Sequence, residues 1–551
     1  MTPRKASASP SPASFTPLGW AALAVGFVGI ALFLAWPAID GVFLSDDYLY
    51  IVNNPYVHGL SWENVKAILD PYGSPTVYSL NYAPVHLLLH AAQWEWVGDQ
   101  TRLYHVTNAV GHGLTSLLLI PFFMRAGIAR QAAALGALLF LVHPANVETV
   151  GWIFQLKTIV AVALSIGALL LHERRPGWAT LLFTLALLTK VTALGVLPVV
   201  AVQAWIRSRN DPPSAPRWGW LAGWVVIAIA ISIPEMAAFQ RQSDVRIVID
   251  EDPIVHGRTI FAIAARYLWM AATGLGVATF HEPPVAGSWL DPWWLAGLAA
   301  LVAIGARSVE RLLRNSEEAC LWVFAAAAFG PVSQIFPFIF PMGDRYLYPI
   351  LPGLIGALLL AFRPAWDWLG ARVGGETLRR AGAAAALTLA VFFGATSHAR
   401  APVFAGDMAM LLDAAKAYPD GMMAHILRGH QAARTGDANG AARAFGRAVD
   451  LGFSDLNALL AHPELRRVAG TPVFREQVLL KLADLDIQRL AGMEAPDQSE
   501  LLVLARAYEI RGDFDEALEA LERAQDAPGA FDAQVERRLR DLRVHRDLRA
   551  R

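Results

Sequence analysis

Segment 17–38 of this chain runs from Pro17 through Trp36-Pro37-Ala38 without a single charged residue. That is long enough to cross a hydrocarbon core, which needs about 20 apolar residues. Ten further apolar segments follow, at 104–125, 129–147, 150–171, 177–189, 191–206, 218–238, 288–306, 319–340, 345–362 and 381–397. A composition of 55% hydrophobic and 17% charged residues lies outside the range of soluble domains. The expected fold class is therefore all-α: a polytopic membrane helical bundle of about 11 spans, followed by a polar C-terminal region. Met-Thr-Pro-Arg-Lys at the start resembles the n-region of a signal peptide, but segment 17–38 is too long for an h-region and lacks a small-x-small exit, so it reads as a retained first helix.

Orientation follows from Lys and Arg, which cytoplasmic loops hold in excess. Arg4 and Lys5 place the N-terminus inside, and the later inside candidates are Arg125 and Arg130, Arg174 and Arg175, Arg207 and Arg209, Arg307, Arg311 and Arg314, then Arg372, Arg379 and Arg380. An odd number of spans leaves the C-terminal region outside. Two further apolar stretches, 84–97 with its Trp94-Glu95-Trp96 and 258–280, are expected to be interfacial or re-entrant helices on the outer side. The expected domains are a cytoplasmic tail 1–16, a membrane catalytic domain 17–397 and a helical repeat domain 398–551. A net charge of -1, with no basic stripe interleaved with aromatics, gives no sign of a nucleic-acid partner. The lone Cys320 rules out an internal disulfide.

This topology collects ionisable residues at the outer ends of the spans: Asp46 and Asp47, His143 with Glu148, Lys190, and Asp344 with Arg345, while Lys157 is expected about two turns into a span. Charges beside spans are costly and default to a functional reading. Each also has a plainer one. The acidic pair can cap or solvate a span exit, His143 can be a helix-end histidine beside Pro144, and Lys190 can snorkel at an outer turn. Lys157 can pair with Glu148, and Asp344 with Arg345.

Taken in order, Asp46-Asp47-Tyr48, Tyr82-Ala-Pro-Val85, Tyr104-His-Val-Thr-Asn108, His143-Pro-Ala-Asn-Val-Glu148 with Trp152 and Lys157, Thr189-Lys190, and Asp344-Arg-Tyr-Leu-Tyr-Pro349 resemble the GT-C membrane glycosyltransferases. The nearest likeness is to the transmembrane and tetratricopeptide-repeat O-mannosyltransferases and their bacterial counterparts, and it extends over nearly the whole chain. Three positions depart from the family pattern: Ala83 stands where Arg is usual, Gln155-Leu156-Lys157-Thr158 replaces an acidic-basic run, and Asp344 replaces Glu.

The resemblance implies an inverting glycosyltransferase that moves a sugar, mannose by family analogy, from a polyprenyl-phosphate donor to an external hydroxyl on a protein or glycan acceptor. Such a reaction needs a carboxylate to take the acceptor proton, a role that falls to Asp47 or Asp46, with Asp47 favoured. It also needs cations for the departing phosphate, Lys190 and Arg345. His143, Glu148, Lys157 and Tyr82 complete the expected substrate-binding set. No cofactor is required; an acidic pair can hold a divalent ion beside a phosphate, and metal use stays open, with the expectation set against it. The implied setting is a bacterial-type inner membrane, with membrane lipid around the spans and the site on the periplasmic face.

The polar region carries its own signal. Gly429, Gly436, Ala441, Phe445 and Ala448, then Tyr508, Gly512, Phe514, Ala517 and Ala524, fall at the offsets of a 34-residue helix-turn-helix repeat. The turn recurs as Gly436-Asp437 and Gly512-Asp513. Residues 454–496 are expected to form a degenerate unit and the Arg-rich stretch from Arg537 a cap; an ordinary helical hairpin is the plainer alternative. Such repeats would offer a surface for a protein partner. The chain has no His-Glu-x-x-His, no Gly-x-Ser-x-Gly and no cysteine pair. Two other classes of function are a scaffold whose repeats recruit envelope proteins and a lipid-linked sugar transporter. The transporter would favour inverted half-repeats that are not seen here.

Overall fold

The computed structural model describes residues 15–210, 218–240, 252–335, 340–493, 496–527 and 531–549. All but the last two residues of the expected tail 1–16 lie outside them. Among the described residues there are helices, turns and loops and no strand. In lipid this is the arrangement that satisfies every backbone group within one segment. The chain is an all-α, polytopic membrane protein, divided into one compact unit of residues up to Thr279 with Pro283–Ala409 and a second of Phe280–Glu282 with Met410–Arg551.

In the first unit, seven helices are long and apolar enough to cross a membrane: Pro17–Ala38, Thr101–Arg125, Ile153–Leu171, Val191–Asn210, Trp218–Ala238, Pro292–Leu313 and Gly375–Ala405. Asp344–Ala361 with Arg363–Val373, bent by 42°, makes an eighth if taken as one span. The three remaining apolar segments are short helices, Arg130–Leu141, Pro176–Leu187 and Glu318–Val332. A helix of 12 residues rises only about 18 Å, so these do not cross by their helical length alone.

Hydrogen bonds and ion pairs mark the two ends of the bundle between which the segments run. At one end Glu173 pairs with both Arg125 and Arg207, Asn210 donates to the Asn315 carbonyl over 3.1 Å, and Arg307 donates to Glu318 over 2.7 Å. At the other end the Phe154 amide meets Asp47, Lys190 meets Thr158, Arg345 meets Glu148, and the Val42 amide donates to the Ala405 carbonyl over 3.3 Å. The segment 176–190 therefore begins beside Glu173 and finishes on Thr158, the helix being completed by the turn that carries Lys190.

The two stretches expected to be interfacial stay at the second end. Helix Pro84–Val97 bonds at its start to the Leu188 carbonyl and near its end, through Glu95, to the Leu60 amide. Helix Pro253–Thr273 bonds through His256 to Gln334, through Tyr267 to Gly343 and through the Ala271 carbonyl to His143. Close helix contact elsewhere depends on missing side chains. A Cβ at Gly353 would lie 2.6 Å from the Ala325 nitrogen, and one at Gly113 would lie 2.9 Å from the Val28 Cα, which is how small residues let membrane helices approach.

The second unit is built from packed helix pairs, Met422–Arg434 with Ala438–Asp450 and Gln498–Arg511 with Phe514–Asp526. Both turns rest on a glycine in the left-handed region, Gly436 at φ +77° and Gly512 at φ +101°, a conformation that costs glycine little. Asp437 caps the helix that follows it by accepting from the Gly440 amide over 2.8 Å. The apolar faces close over Phe445, Phe474 and Leu482 in the first cluster and over Leu501, Leu521 and Val535 in the second. Between the pairs, 456–469 forms two short helices and Leu480–Leu490 a longer one packed on Gln498–Arg511.

Candidate active site

The loop after the first span is a tight turn that separates two carboxylates. The Asp47 amide donates to the Leu44 carbonyl over 2.8 Å, and the Leu44 amide returns a 2.8 Å bond to Asp47 Oδ2. Ser45 between them holds φ +42°, an unusual conformation for a residue with a Cβ. Asp47 Oδ1 accepts the Phe154 amide over 2.8 Å. Both oxygens of this fully buried side chain are thus engaged by main chain, and Asp47 clamps the 44–47 turn onto the 152–155 segment.

Asp46 differs in each respect. It keeps partial exposure, and among the described residues its carboxylate has no hydrogen bond or ion pair. Its surroundings push the Asp46 carboxyl above the ordinary range because burial disfavours the charge, while Lys157 and Arg345 pull it back.

Those cations come from three elements. Lys157, in the first turn of helix Leu156–Leu171, has its ammonium 3.8 Å from the Phe154 ring centre, 4.7 Å from that of Tyr50 and 3.4 Å from the Tyr50 hydroxyl. Lys190 donates over 2.8 Å to Thr158, whose hydroxyl donates in turn to Gln155 over 2.7 Å. Neither lysine has an ion-pair partner among the described residues. Arg345 does. Its guanidinium meets Glu148 Oε1 at 2.5 Å, and its own amide donates to Oε2 over 2.7 Å. The rings of Trp152, Phe340 and Tyr346 lie 4.8 to 5.4 Å from the guanidinium carbon.

Lys157 therefore does not pair with Glu148; that carboxylate belongs to Arg345. Asp344 turns instead to Arg400 at 3.1 Å and to the Ala278 amide at 3.2 Å, so the two halves of Asp344-Arg345 bind different elements rather than each other. The structure places His143 as a satisfied core residue. Nε2 reaches the Ala271 carbonyl at 3.1 Å and Nδ1 accepts the Ala145 amide at 3.2 Å, and burial lowers its pKa to about 4. Tyr82 reaches the site through its backbone: its amide donates to Glu235 over 2.6 Å, while its hydroxyl donates to the Leu69 carbonyl over 3.0 Å.

Several residues at this site were not singled out in the sequence. The Tyr50 hydroxyl accepts from Asn81 over 2.7 Å as well as from Lys157. His86, tilted against Tyr50 and edge-on to Phe154, begins a buried chain in which its Nε2 meets His90 Nε2 at 2.8 Å and His90 Nδ1 meets Gln93 at 2.8 Å. Burial lowers the His90 pKa to about 4. The signal was available as three polar residues at i, i+4 and i+7 on an otherwise apolar helix, one face of a 3.6-residue period. Glu235 sits one residue after Pro234 inside a span and belongs to the same electrostatic neighbourhood.

A partly exposed carboxylate, two lysines without acidic partners among the described residues and an arginine fixed by Glu148 thus share one electrostatic neighbourhood. No family model matches the chain. A solved structure, the crystal structure of ArnT from Cupriavidus metallidurans bound to undecaprenyl phosphate, aligns with a TM-score of 0.33 at 15% identity over 92% of this chain and 80% of its own. A curated human relative, Protein O-mannosyl-transferase TMTC4, is 30% identical over 161 residues, which are 25% of this chain and 21% of the relative. The chain thus spans about a fifth of that relative's length, and the class the motifs resemble is the class in which the relative is found.

Proposed function

We propose that the chain is an inverting membrane glycosyltransferase that uses a polyprenyl-phosphate sugar. The observation that carries this reading is the contrast within the acidic pair: among the described residues Asp46 has no hydrogen-bond or ion-pair partner and lies in the field of Lys157 and Arg345, whereas Asp47 is consumed by two main-chain amides. In the proposed step an acceptor oxygen bonds to the anomeric carbon as the bond from that carbon to the phosphate oxygen breaks. The acceptor proton passes to Asp46, and the negative charge on the departing polyprenyl phosphate is met by Lys190 and Arg345, with Lys157 behind them. Glu148 and Asp47 act as positioning residues, the first by fixing the guanidinium and the second by fixing the turn that presents Asp46.

Mannose is the favoured sugar and a protein hydroxyl the favoured acceptor, both by resemblance to the O-mannosyltransferases. The active face is periplasmic in this reading. The test is to incubate detergent-purified protein with a panel of radiolabelled polyprenyl-phosphate sugars and to follow label into protein or water. Release from a single sugar donor, abolished in Asp46→Asn, is expected; no release from any donor, with the protein folded, would overturn it.

A further inference from the structure

A cluster with metal-ligand chemistry sits in the second unit, well separated in sequence from every residue of the candidate site. His430 projects from helix Met422–Arg434, and His462 and Glu464 come from the turn His462-Pro463-Glu464 that joins two short helices. One ligand atom from each of the three lies within 4.8 Å of the other two. His430 Nδ1 and Glu464 Oε1 are already 3.2 Å apart, close to the ~3.4 Å that separates two ligands bonded tetrahedrally at about 2.1 Å. The imidazole rings of His430 and His462 stand 4.5 Å apart at 70°, so their nitrogens converge rather than stack.

Two further facts point to a ligand rather than to a core histidine. His430 is only 4% exposed, and the acceptor beside its Nδ1 is the Glu464 carboxylate at 3.2 Å, so an imidazole nitrogen and a carboxylate already face each other at the buried end of the cluster. His462 is exposed, which leaves an open approach on the solvent side, and the turn behind it is fixed by the Leu465 amide bonding to the His462 carbonyl over 3.1 Å. Against the site stands Arg434, 3.7 Å from Glu464 but half-exposed, a charge that can swing into solvent.

We propose that His430, His462 and Glu464 bind a divalent first-row transition ion, zinc by default, with the fourth position open to water. Two imidazoles and one carboxylate suit such ions; magnesium and calcium prefer all-oxygen sites. The ion would tie the first helix pair to the 456–469 segment, the part of the unit whose sequence strays furthest from the repeat pattern. Its role is then a staple, adding to the packing of Leu456, Leu459, Leu465 and Val468 against the first pair.

The experiment uses the full-length protein in detergent, purified without a histidine tag, stripped with chelator and dialysed against zinc. Wild type is expected to retain one zinc per chain and to show a raised midpoint of thermal unfolding that chelator reverses. The exposed position of His462 lets His462→Ala fold normally, so this variant and Glu464→Gln should each lose the bound equivalent and the zinc-dependent shift. Absorption of the cobalt-loaded protein reads the same site independently, with a four-coordinate spectrum expected in wild type and lost in His462→Ala. Zinc content below one per chain in wild type, or an unchanged equivalent in both variants, would overturn the proposal. Neither outcome bears on the glycosyl-transfer reading, because none of these residues belongs to that site.

Discussion

At the scale of single residues, adjacent carboxylates with the same chemistry have been given different work by what donates to them. Asp46→Asn removes the group proposed to take the proton, so turnover should fall by roughly 10²-fold or more, while the thermal unfolding midpoint stays where it is. Asp47→Asn should do the reverse in kind. One of the two main-chain amides, Leu44 or Phe154, would face an NH₂ group instead of an oxygen, and a buried donor left unpaired costs about 1–3 kcal/mol. A normal unfolding midpoint in Asp47→Asn, with activity lost there and kept in Asp46→Asn, would return the base to Asp47.

The same environment sets a pH dependence. Because burial raises the Asp46 carboxyl and the base must be ionised to act, the rate should fall as pH drops through a value above the ordinary ~3.9 of an aspartate. Lys157 favours the charged form of Asp46, so Lys157→Gln should move this acid limb to higher pH; a limb that stays put or moves down in the pH–rate profile counts against Asp46. Lys190→Ala should raise KM for the lipid donor far more than for the acceptor, since the charge it is proposed to meet belongs to the donor phosphate.

At the scale of elements, hydropathy located the seven long helices and the bent pair, and Trp94-Glu95-Trp96 set the short stretch 84–97 apart from them. What one-dimensional pattern could not supply was partner choice. The bond from Phe154 to Asp47 links positions 107 residues apart and that from Arg345 to Glu148 links positions 197 apart, so which aspartate stays free and which carboxylate holds the arginine depend on tertiary contact. The His86, His90 and Gln93 chain is legible only as a polar stripe on a helix whose tryptophans are the stronger signal. Packing makes its own prediction here. Gly353→Val would drive a side chain into the backbone of helix Glu318–Phe329, where even a Cβ would approach the Leu321 carbonyl to 2.7 Å. The expected cost is about 1–3 kcal/mol from overpacking, seen as a lowered unfolding midpoint in detergent, whereas Gly223→Ala, at a site with nothing within 4 Å, should leave it unchanged.

At the scale of the whole molecule, the number of crossings decides on which side of the membrane the polar region emerges. If only helices of full length crossed, the seven long spans and the bent pair would give an even count, and residues beyond the last span would share the side of the N-terminus. The contact pattern argues for the odd count. Of the three short apolar helices, Pro176–Leu187 with its adjoining turn connects the end marked by Glu173, Arg307 and Glu318 to the end marked by Asp47, Thr158 and Arg345. The last long helix returns to that second end, where Ser397 donates to the Val142 carbonyl over 2.8 Å and Ala405 meets Val42. If the arginines at 125, 174, 175, 207 and 307 follow the positive-inside rule, the first end faces the cytoplasm, and Asp46 and the segment that follows Ala405 should both lie outside. A reporter active only outside the cytoplasm, fused after Arg551 and separately inserted near Gly59, should give signal in both places. Signal from the Gly59 insertion alone would put residues 410–551 in the cytoplasm, make at least one of the short helices a re-entrant segment, and remove the repeats from any role in holding an acceptor at the site.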